Sequence, residues 1–257
     1  MVPSSHGVPG ADWRERVVFA YLEEPPFCFR TAGGGASGCD VELAQAVLRD
    51  LGVAACDFVE AEFADLMPGL VDGRWTMTTG LFVTPERRKH IAFSRPIWAL
   101  HDGLLVRAGN PRNIAGYRSI AADANATLAI VKDQRQRDSA LDLGVPAARI
   151  VEFHTQKEAA DAVAGGSVDA YASVAMAHRG YLASHPSAPL AVVDVPPSEQ
   201  APAFGAFGFA KSNAGLAKAI DRALGPYLGS AAHRQLMTRY DFAPAEVDRV
   251  ALRDRAG

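Results

Sequence analysis

Apolar residues in this chain come in short continuous runs, and between the runs they recur at helical spacing. Val17-Val18-Phe19-Ala20-Tyr21 has the β-branched and aromatic composition of a buried strand. The turn-rich segment Glu24-Pro25-Pro26-Phe27 follows, and Gly33, Gly34, Gly35 and Gly38 make a loop. Asp40 is the expected N-cap of a helix carrying Val41, Ala44, Val47 and Leu51, with Gly52 as its stop. Cys56-Asp57-Phe58-Val59 reads as a second strand. Leu66, Leu70 and Val71 mark a short helix ending near Gly73, and residues 75–83 form a third strand. Strands alternating with helices favour a parallel sheet covered by helices.

The pattern then restarts. Strands are expected at Leu128–Val131, Ile150–Phe153, Val168–Ala172 and Ala191–Val195, with helices over 138–143 and 158–164 between them. Phe204–Ala210 is a strand-like return, and a helix runs from about Gly215 to Leu228. Two similar blocks imply two α/β lobes, the second inserted into the first. The expected limits are 13–106 with 204–257 for lobe 1, and 107–203 for lobe 2.

Composition narrows the function classes. The chain has 257 residues, 49% of them apolar, so it buries a sizeable core. A net charge of -3 gives no electrostatic reason for a nucleic-acid partner. No apolar run reaches the ~20 residues of a membrane helix. The polar start, Met1 to Gly7, has neither the basic head nor the apolar core of an export signal. A cytoplasmic protein and a secreted one whose signal has been removed both fit it. Cys28, Cys39 and Cys56 form neither a disulfide framework nor a zinc site. Three free thiols and a single Cys39–Cys56 bridge both remain open. His6, His90, His101, His154, His178, His185 and His233 are scattered without ligand spacing. Gly33-Gly34-Gly35 lacks the Gly-Lys-Ser/Thr of a phosphate loop. Neither a metal nor a cofactor is expected.

The chemistry concentrates after the third strand. In Thr84-Pro85-Glu86-Arg87 a strand ends and a helix begins, with Pro85 suited to the first helical position. Arg87 lies in the first turn, and its planar fork matches a carboxylate bidentately. A solvated Arg87-Arg88-Lys89 face is the plainer alternative.

The wider order of motifs weighs against that alternative. Pro26-Phe27 precedes the glycine loop, Asp40-Val41-Glu42-Leu43-Ala44 opens a helix, and Phe63 to Gly73 carries Pro68 before Leu70 and Gly73. Thr84-Pro85-Glu86-Arg87 and Ile91-Ala92-Phe93-Ser94-Arg95-Pro96 follow. From about Val17 to Tyr240 this order resembles the family-3 bacterial extracellular solute-binding proteins of amino-acid ABC transporters, more strongly in the first lobe than in the second. The resemblance implies a type II periplasmic-binding-protein fold, two α/β lobes joined by two crossover strands, closing on a small solute. It implies a monomeric, periplasmic or otherwise extracytoplasmic, non-enzymatic protein that delivers its solute to a membrane permease. It also implies that Arg87 binds the ligand's α-carboxylate.

The departures are as informative. Amino-acid binders of this family carry hydroxyl residues before the arginine, where this chain has Gly80-Leu81-Phe82-Val83. Phe27, Phe63 and Phe82 each follow or end a first-lobe strand, and three rings surround a delocalised cation by cation–π attraction. With Glu24 as counter-charge, the set is similar to the aromatic box of the ectoine/hydroxyectoine-binding subgroup. Each phenylalanine taken alone also suits a core. In the second lobe, Lys132-Asp133-Gln134-Arg135-Gln136 stands where the family has Gly-Thr. If Arg135 faces the ligand, a more anionic solute is favoured; if it faces solvent, little changes. Ser173 or Val174 stands where the family has an aspartate, and Tyr171, Ser173 and Phe207 are further wall candidates. The expected ligand is thus a carboxylate or zwitterion, first an ectoine-like compatible solute. The alternatives are a polar amino acid, and an enzyme similar to cyclohexadienyl dehydratases with Glu24 as its acid.

Overall fold

The computed structural model describes residues 12–252. The expectation for Met1 to Gly7, with His6, lies outside them. In chain order the elements are β1 (Arg16–Tyr21), β2 (Phe29–Arg30), β3 (Ala36–Ser37), α1 (Cys39–Asp50), β4 (Ala55–Glu60), α2 (Phe63–Val71), β5 (Met77–Phe82), α3 (Pro85–His90), β6 (Ile91–Phe93) and β7 (Trp98–Leu100). Next come β8 (Asp102–Arg107), α4 (Tyr117–Ala122), β9 (Leu128–Val131), α5 (Gln136–Asp142), β10 (Ile150–Phe153), α6 (Gln156–Ala164), β11 (Ala170–Val174), α7 (Ala175–Ser184) and β12 (Leu190–Asp194). The chain closes with β13 (Ala203–Ala210), α8 (Ala214–Tyr227), α9 (Ala231–Thr238) and α10 (Pro244–Ala251).

Two compact units result. Residues 12–23, 27–99 and 204–252 make the first, and 24–26 with 100–203 make the second. The first crossing therefore falls at Ala99–Leu100, ahead of the expected 106. The reason is β8, which pairs antiparallel with both β11 and β12 and so belongs to the second sheet. Residues 24–26 group with the second unit. Gly180 of α7 permits this, because a Cβ there would lie 2.2 Å from the Pro25 carbonyl oxygen.

The two sheets repeat one plan. The first runs β4-β1-β5-β13-β6, with β7 also on β13; the second runs β10-β9-β11-β8-β12. In each, three parallel strands lie in the order second, first, third, and antiparallel strands complete the sheet. The first strand enters at the centre, its successor goes to one side and the next crosses to the other. That crossing creates a switch point between β1 and β5, and another between β9 and β11. Ligands of open α/β sheets bind outside the carboxyl ends of strands at such points.

Each unit has its own core. Ala20, Leu66, Leu70, Trp75, Leu81 and Ile91 pack in the first, with Phe63 partly buried against them. Leu104, Tyr117, Ile120, Leu128, Ile130 and Ala172 pack in the second. Asp40 is not the N-cap of α1. Gly38 is, and Asp40 turns inward from the first turn. All three cysteines are free thiols, so no Cys39–Cys56 bridge is present.

Candidate functional site

At the carboxyl end of β5 the chain leaves the sheet and turns directly into α3. Thr84 stays extended and its hydroxyl accepts the Arg87 backbone N–H at 3.2 Å, a side-chain N-cap. With Pro85 at the first helical position this local code fixes where Arg87 points. The arginine is 9% exposed. Its Nη1 donates to the Phe82 carbonyl at 3.2 Å, and its guanidinium carbon lies 5.3 Å from the centre of the Phe63 ring. A carbonyl and a ring face both help to orient the guanidinium.

Phe63 opens α2 just after β4 and is half-buried. Phe82 is also half-buried, and its ring meets Trp98 edge-on at 5.1 Å. Phe27 is different. It is 5% exposed and lies against Trp98 at 5.8 Å and Phe242 at 6.2 Å, backing the indole from the interior. Phe207 is fully buried, edge-on to Phe19.

Trp98 organises these rings, and sequence reasoning missed it. The indole lies flat over β5 and β13. A Cβ at Gly80 would come within 2.6 Å of it and one at Gly205 within 2.0 Å, so these strands can carry only glycine beneath it. Its Nε1 donates to Asp40 Oδ1 at 3.2 Å. Asp40 also accepts from Thr79 Oγ1 at 2.7 Å and the Gly80 N–H at 2.8 Å, and Cys39 Sγ lies 3.7 Å away. Burial raises the Asp40 carboxyl above its ordinary value, and these donors oppose the rise. A buried carboxylate thus ties helix α1, strand β5 and the indole together at the end that carries Phe82.

In the second unit Glu24 is half-buried on the 24–26 segment. Tyr171 is fully buried in β11, edge-on to His178 at 5.0 Å. Its hydroxyl is pushed up, first by burial and then by the Glu24 charge. Ser173, two residues on, is 2% exposed. Tyr171 and Ser173 are therefore interior residues of this unit.

Gln134 lies in the turn after β9, its N–H donating to the Val131 carbonyl at 3.2 Å. Its side-chain oxygen is buried without a hydrogen-bond partner among the described residues. Arg135 turns to Asp102, at 3.5 Å from Nη2 to Oδ2, and to Ser139 Oγ at 3.3 Å. Asp102 is fully buried; it also accepts from Tyr117 Oη at 2.9 Å and Gln136 Nε2 at 3.1 Å. Among the described residues no group of three or more His, Cys, Asp or Glu could hold a metal, and no helix is long and apolar enough to cross a membrane.

Comparison with known proteins gives concordant results. The model of bacterial extracellular solute-binding proteins, family 3, matches residues 17–243. A probable amino-acid ABC transporter periplasmic-binding protein of Sinorhizobium fredii is 29% identical over 240 residues, 91% of this chain and 79% of that one. The crystal structure of EhuB in complex with hydroxyectoine superposes with a TM-score of 0.81 at 25% identity, covering 93% of this chain and 95% of that one. The arginine-, lysine-, histidine-binding protein ArtJ of Geobacillus stearothermophilus gives 0.80 at 23% identity, covering 92% and 99%.

Proposed function

The chain belongs to the bacterial extracellular solute-binding proteins, family 3, with the type II periplasmic-binding-protein fold, and on that premise we propose that it takes up a compact carboxylate-bearing zwitterion outside the cytoplasm. Its family serves small amino-acid-like solutes and ABC transporter permeases. Arg87 holds the carboxylate. Phe82, edge-on to Trp98, and Phe63 form the wall for the cationic or apolar part of the solute.

One observation carries this reading. A largely buried guanidinium is aimed by a helix cap, a carbonyl and a ring at the carboxyl end of a strand beside a switch point. The hydroxyectoine bound by EhuB, together with the Phe82–Trp98 pair, favours an ectoine-like ligand. The amino-acid transporter relative favours an ordinary amino acid as the second reading.

Native mass spectrometry of the purified protein is expected to show a bound molecule with one carboxylate, and calorimetric titration with ectoine and with the common amino acids then ranks the two readings. Tight binding of an amino acid with none of ectoine rejects the first. Arg87→Ala is expected to weaken binding about a hundredfold or more, because the carboxylate loses a bidentate charged partner. Retained affinity removes Arg87 from its role. Incubation with prephenate is expected to give no turnover; product formation would move the chain to the enzymes.

A further inference from the structure

We propose that Asp40 is a positioning residue of the binding wall. By holding the indole N–H of Trp98 it fixes how Trp98 lies, and through Trp98 the pose of the Phe82 ring, so that it sets the preference for a solute whose positive charge is spread over a ring. The inference rests on the reading that Phe82 and Arg87 meet the solute, and it adds the residue that keeps the Phe82 ring in place.

Asp40 is 1% exposed, and each of its oxygens faces an N–H. Oδ2 accepts the Gly80 N–H at 2.8 Å and the Thr79 hydroxyl at 2.7 Å, both from β5. Those donors sit on a strand held in the middle of the sheet, so Oδ2 is fixed by β5. Oδ1 then lies 3.2 Å from Trp98 Nε1. Trp98 is 6% exposed, so an indole turned away from Asp40 would bury an unpaired N–H.

The floor beneath the indole gives it room but no direction. Gly80 lies under its nitrogen edge and Gly205 under its benzo tip, and neither carries a side chain to stop the ring from turning in its plane. Asp40 supplies the stop at the nitrogen end. Gly205 is the cross-strand partner of Phe82, and Gly80 lies two residues before Phe82, on the same face of β5. The indole thus spans the strand from Asp40 to Phe82, whose ring meets it at 5.1 Å and 85°. An edge-to-face contact depends on the angle between the rings, so an indole that turns takes the Phe82 pose with it. Arg87 is oriented by other groups, the backbone carbonyl of Phe82 and the Phe63 ring. Asp40 therefore acts on the ring wall rather than on the carboxylate anchor.

Asp40→Asn keeps the size of the side chain and reverses one of its contacts. An amide offers one accepting oxygen and one donating nitrogen. The Gly80 N–H cannot leave the sheet, so the oxygen stays with it and the NH2 group meets the indole N–H. In the full chain the ectoine-to-glutamine affinity ratio is expected to fall about fivefold or more. The affinity for L-glutamine alone is expected to stay within about twofold. Trp98→Phe, which offers Asp40 no N–H, is expected to lower the ratio as well, and Asp40→Asn should add nothing to it in that background. Val47→Ala, in the buried face of α1 and outside this network, should destabilise the unit and leave the ratio unchanged. An unmoved ratio in Asp40→Asn, or an equal fall in Val47→Ala, overturns the proposal.

A readout without ligand stands beside these. The Trp98 Nε1–H proton resonance, identified by its absence from Trp98→Phe, is expected to move upfield in Asp40→Asn and to stay in place in Val47→Ala. A resonance unmoved in Asp40→Asn denies the hold on the indole. If Asp40→Asn does not fold, Trp98→Phe decides: a lowered ratio supports the proposal and an unchanged one overturns it. A parent protein that binds no ectoine rejects the ectoine-like reading and this inference with it. A parent that binds both probes, with the ratio unmoved in the variants, rejects the inference alone.

Discussion

In the first unit the buried aspartate is Asp40, and in the second it is Asp102. Both sit in sheets of the same strand order, and burial pushes both carboxyls up. Their partners differ. Asp40 is held by a hydroxyl, a backbone N–H, a thiol and an indole, all neutral. Asp102 is held by a phenol, an amide and a guanidinium. A carboxylate satisfied by neutral donors makes no demand on a nearby arginine, and one that needs a cation takes it out of service. Asp102 thus lies against a guanidinium of its own unit, whereas Asp40 is tied to an indole. The first unit spends its aspartate on placing an aromatic wall, and the second uses its aspartate to fix a turn.

Trp98→Ala is the largest test of that contrast. It removes the side chain shared by Phe27, Phe82 and Asp40, and leaves a cavity over Gly80 and Gly205. The expected loss is about 3–5 kcal/mol, confined to the first unit's unfolding transition in urea, with ligand affinity lost as well. If affinity survives, Trp98 is only core. If the second unit's transition moves equally, the units do not hold separate cores.

The sequence made part of this contrast legible. Strand-and-helix alternation is written in residues that are near neighbours, and so is the cap Thr84-Pro85-Glu86-Arg87; each can be read from one turn of chain. The Asp40 side chain was read as a cap because aspartate before an apolar helix has that local meaning. Its actual partner Trp98 lies 58 positions away, and nothing local announces it. Arg135 and Asp102 are separated by 33 positions, and only the fold brings them together. β8 escaped notice for a related reason. It is antiparallel and has no covering helix immediately before it, so it broke the alternation and looked like a join. Phe27 and Phe82 share a residue type and a common neighbour in Trp98, yet Phe27 is buried and Phe82 only half-buried, which residue type alone does not announce.

Acid exposes a likeness between the units. Each buries one neutral histidine, His233 in the first and His178 in the second, and burial pushes both down to about 4. His178 Nε2 bonds the Gly103 carbonyl at 3.2 Å, and His233 Nδ1 accepts the Gly229 N–H at 3.0 Å. The folded value lies below the unfolded one of 6.5, so the unfolded chain takes up protons first as pH falls. Stability from these groups is complete above pH 6.5 and is lost as pH drops toward 4, by roughly 3 kcal/mol or less for each histidine. Asp40 and Asp102, raised by burial, act in the opposite sense at the acid end of the range. Urea unfolding between pH 7 and 5 should show both transitions weakening. His178→Gln should flatten the second unit's pH dependence and leave the first unit's intact. A uniform response in both would mean that the histidines are not the titrating groups.

The smallest effect is the most selective. Two threonines cap helices in the same way, one in each unit. Thr84 accepts the Arg87 N–H at 3.2 Å, and Thr155 accepts the Glu158 N–H at 3.2 Å while Glu158 bonds back to the Thr155 N–H. Replacing either by alanine is expected to cost about 1 kcal/mol of stability. Their consequences for binding should diverge. α3 is only six residues long, and Arg87 rides on its capped first turn, so loosening that turn releases the guanidinium from the Phe82 carbonyl and the Phe63 face. Thr84→Ala should therefore weaken ligand binding severalfold, whereas Thr155→Ala should leave it unchanged at equal cost in stability. Calorimetric titration of the two variants side by side decides the matter. Equal affinities would mean that the cap sets the stability of α3 without aiming its arginine, and the geometry at Phe82 and Phe63 would then have to hold Arg87 unaided.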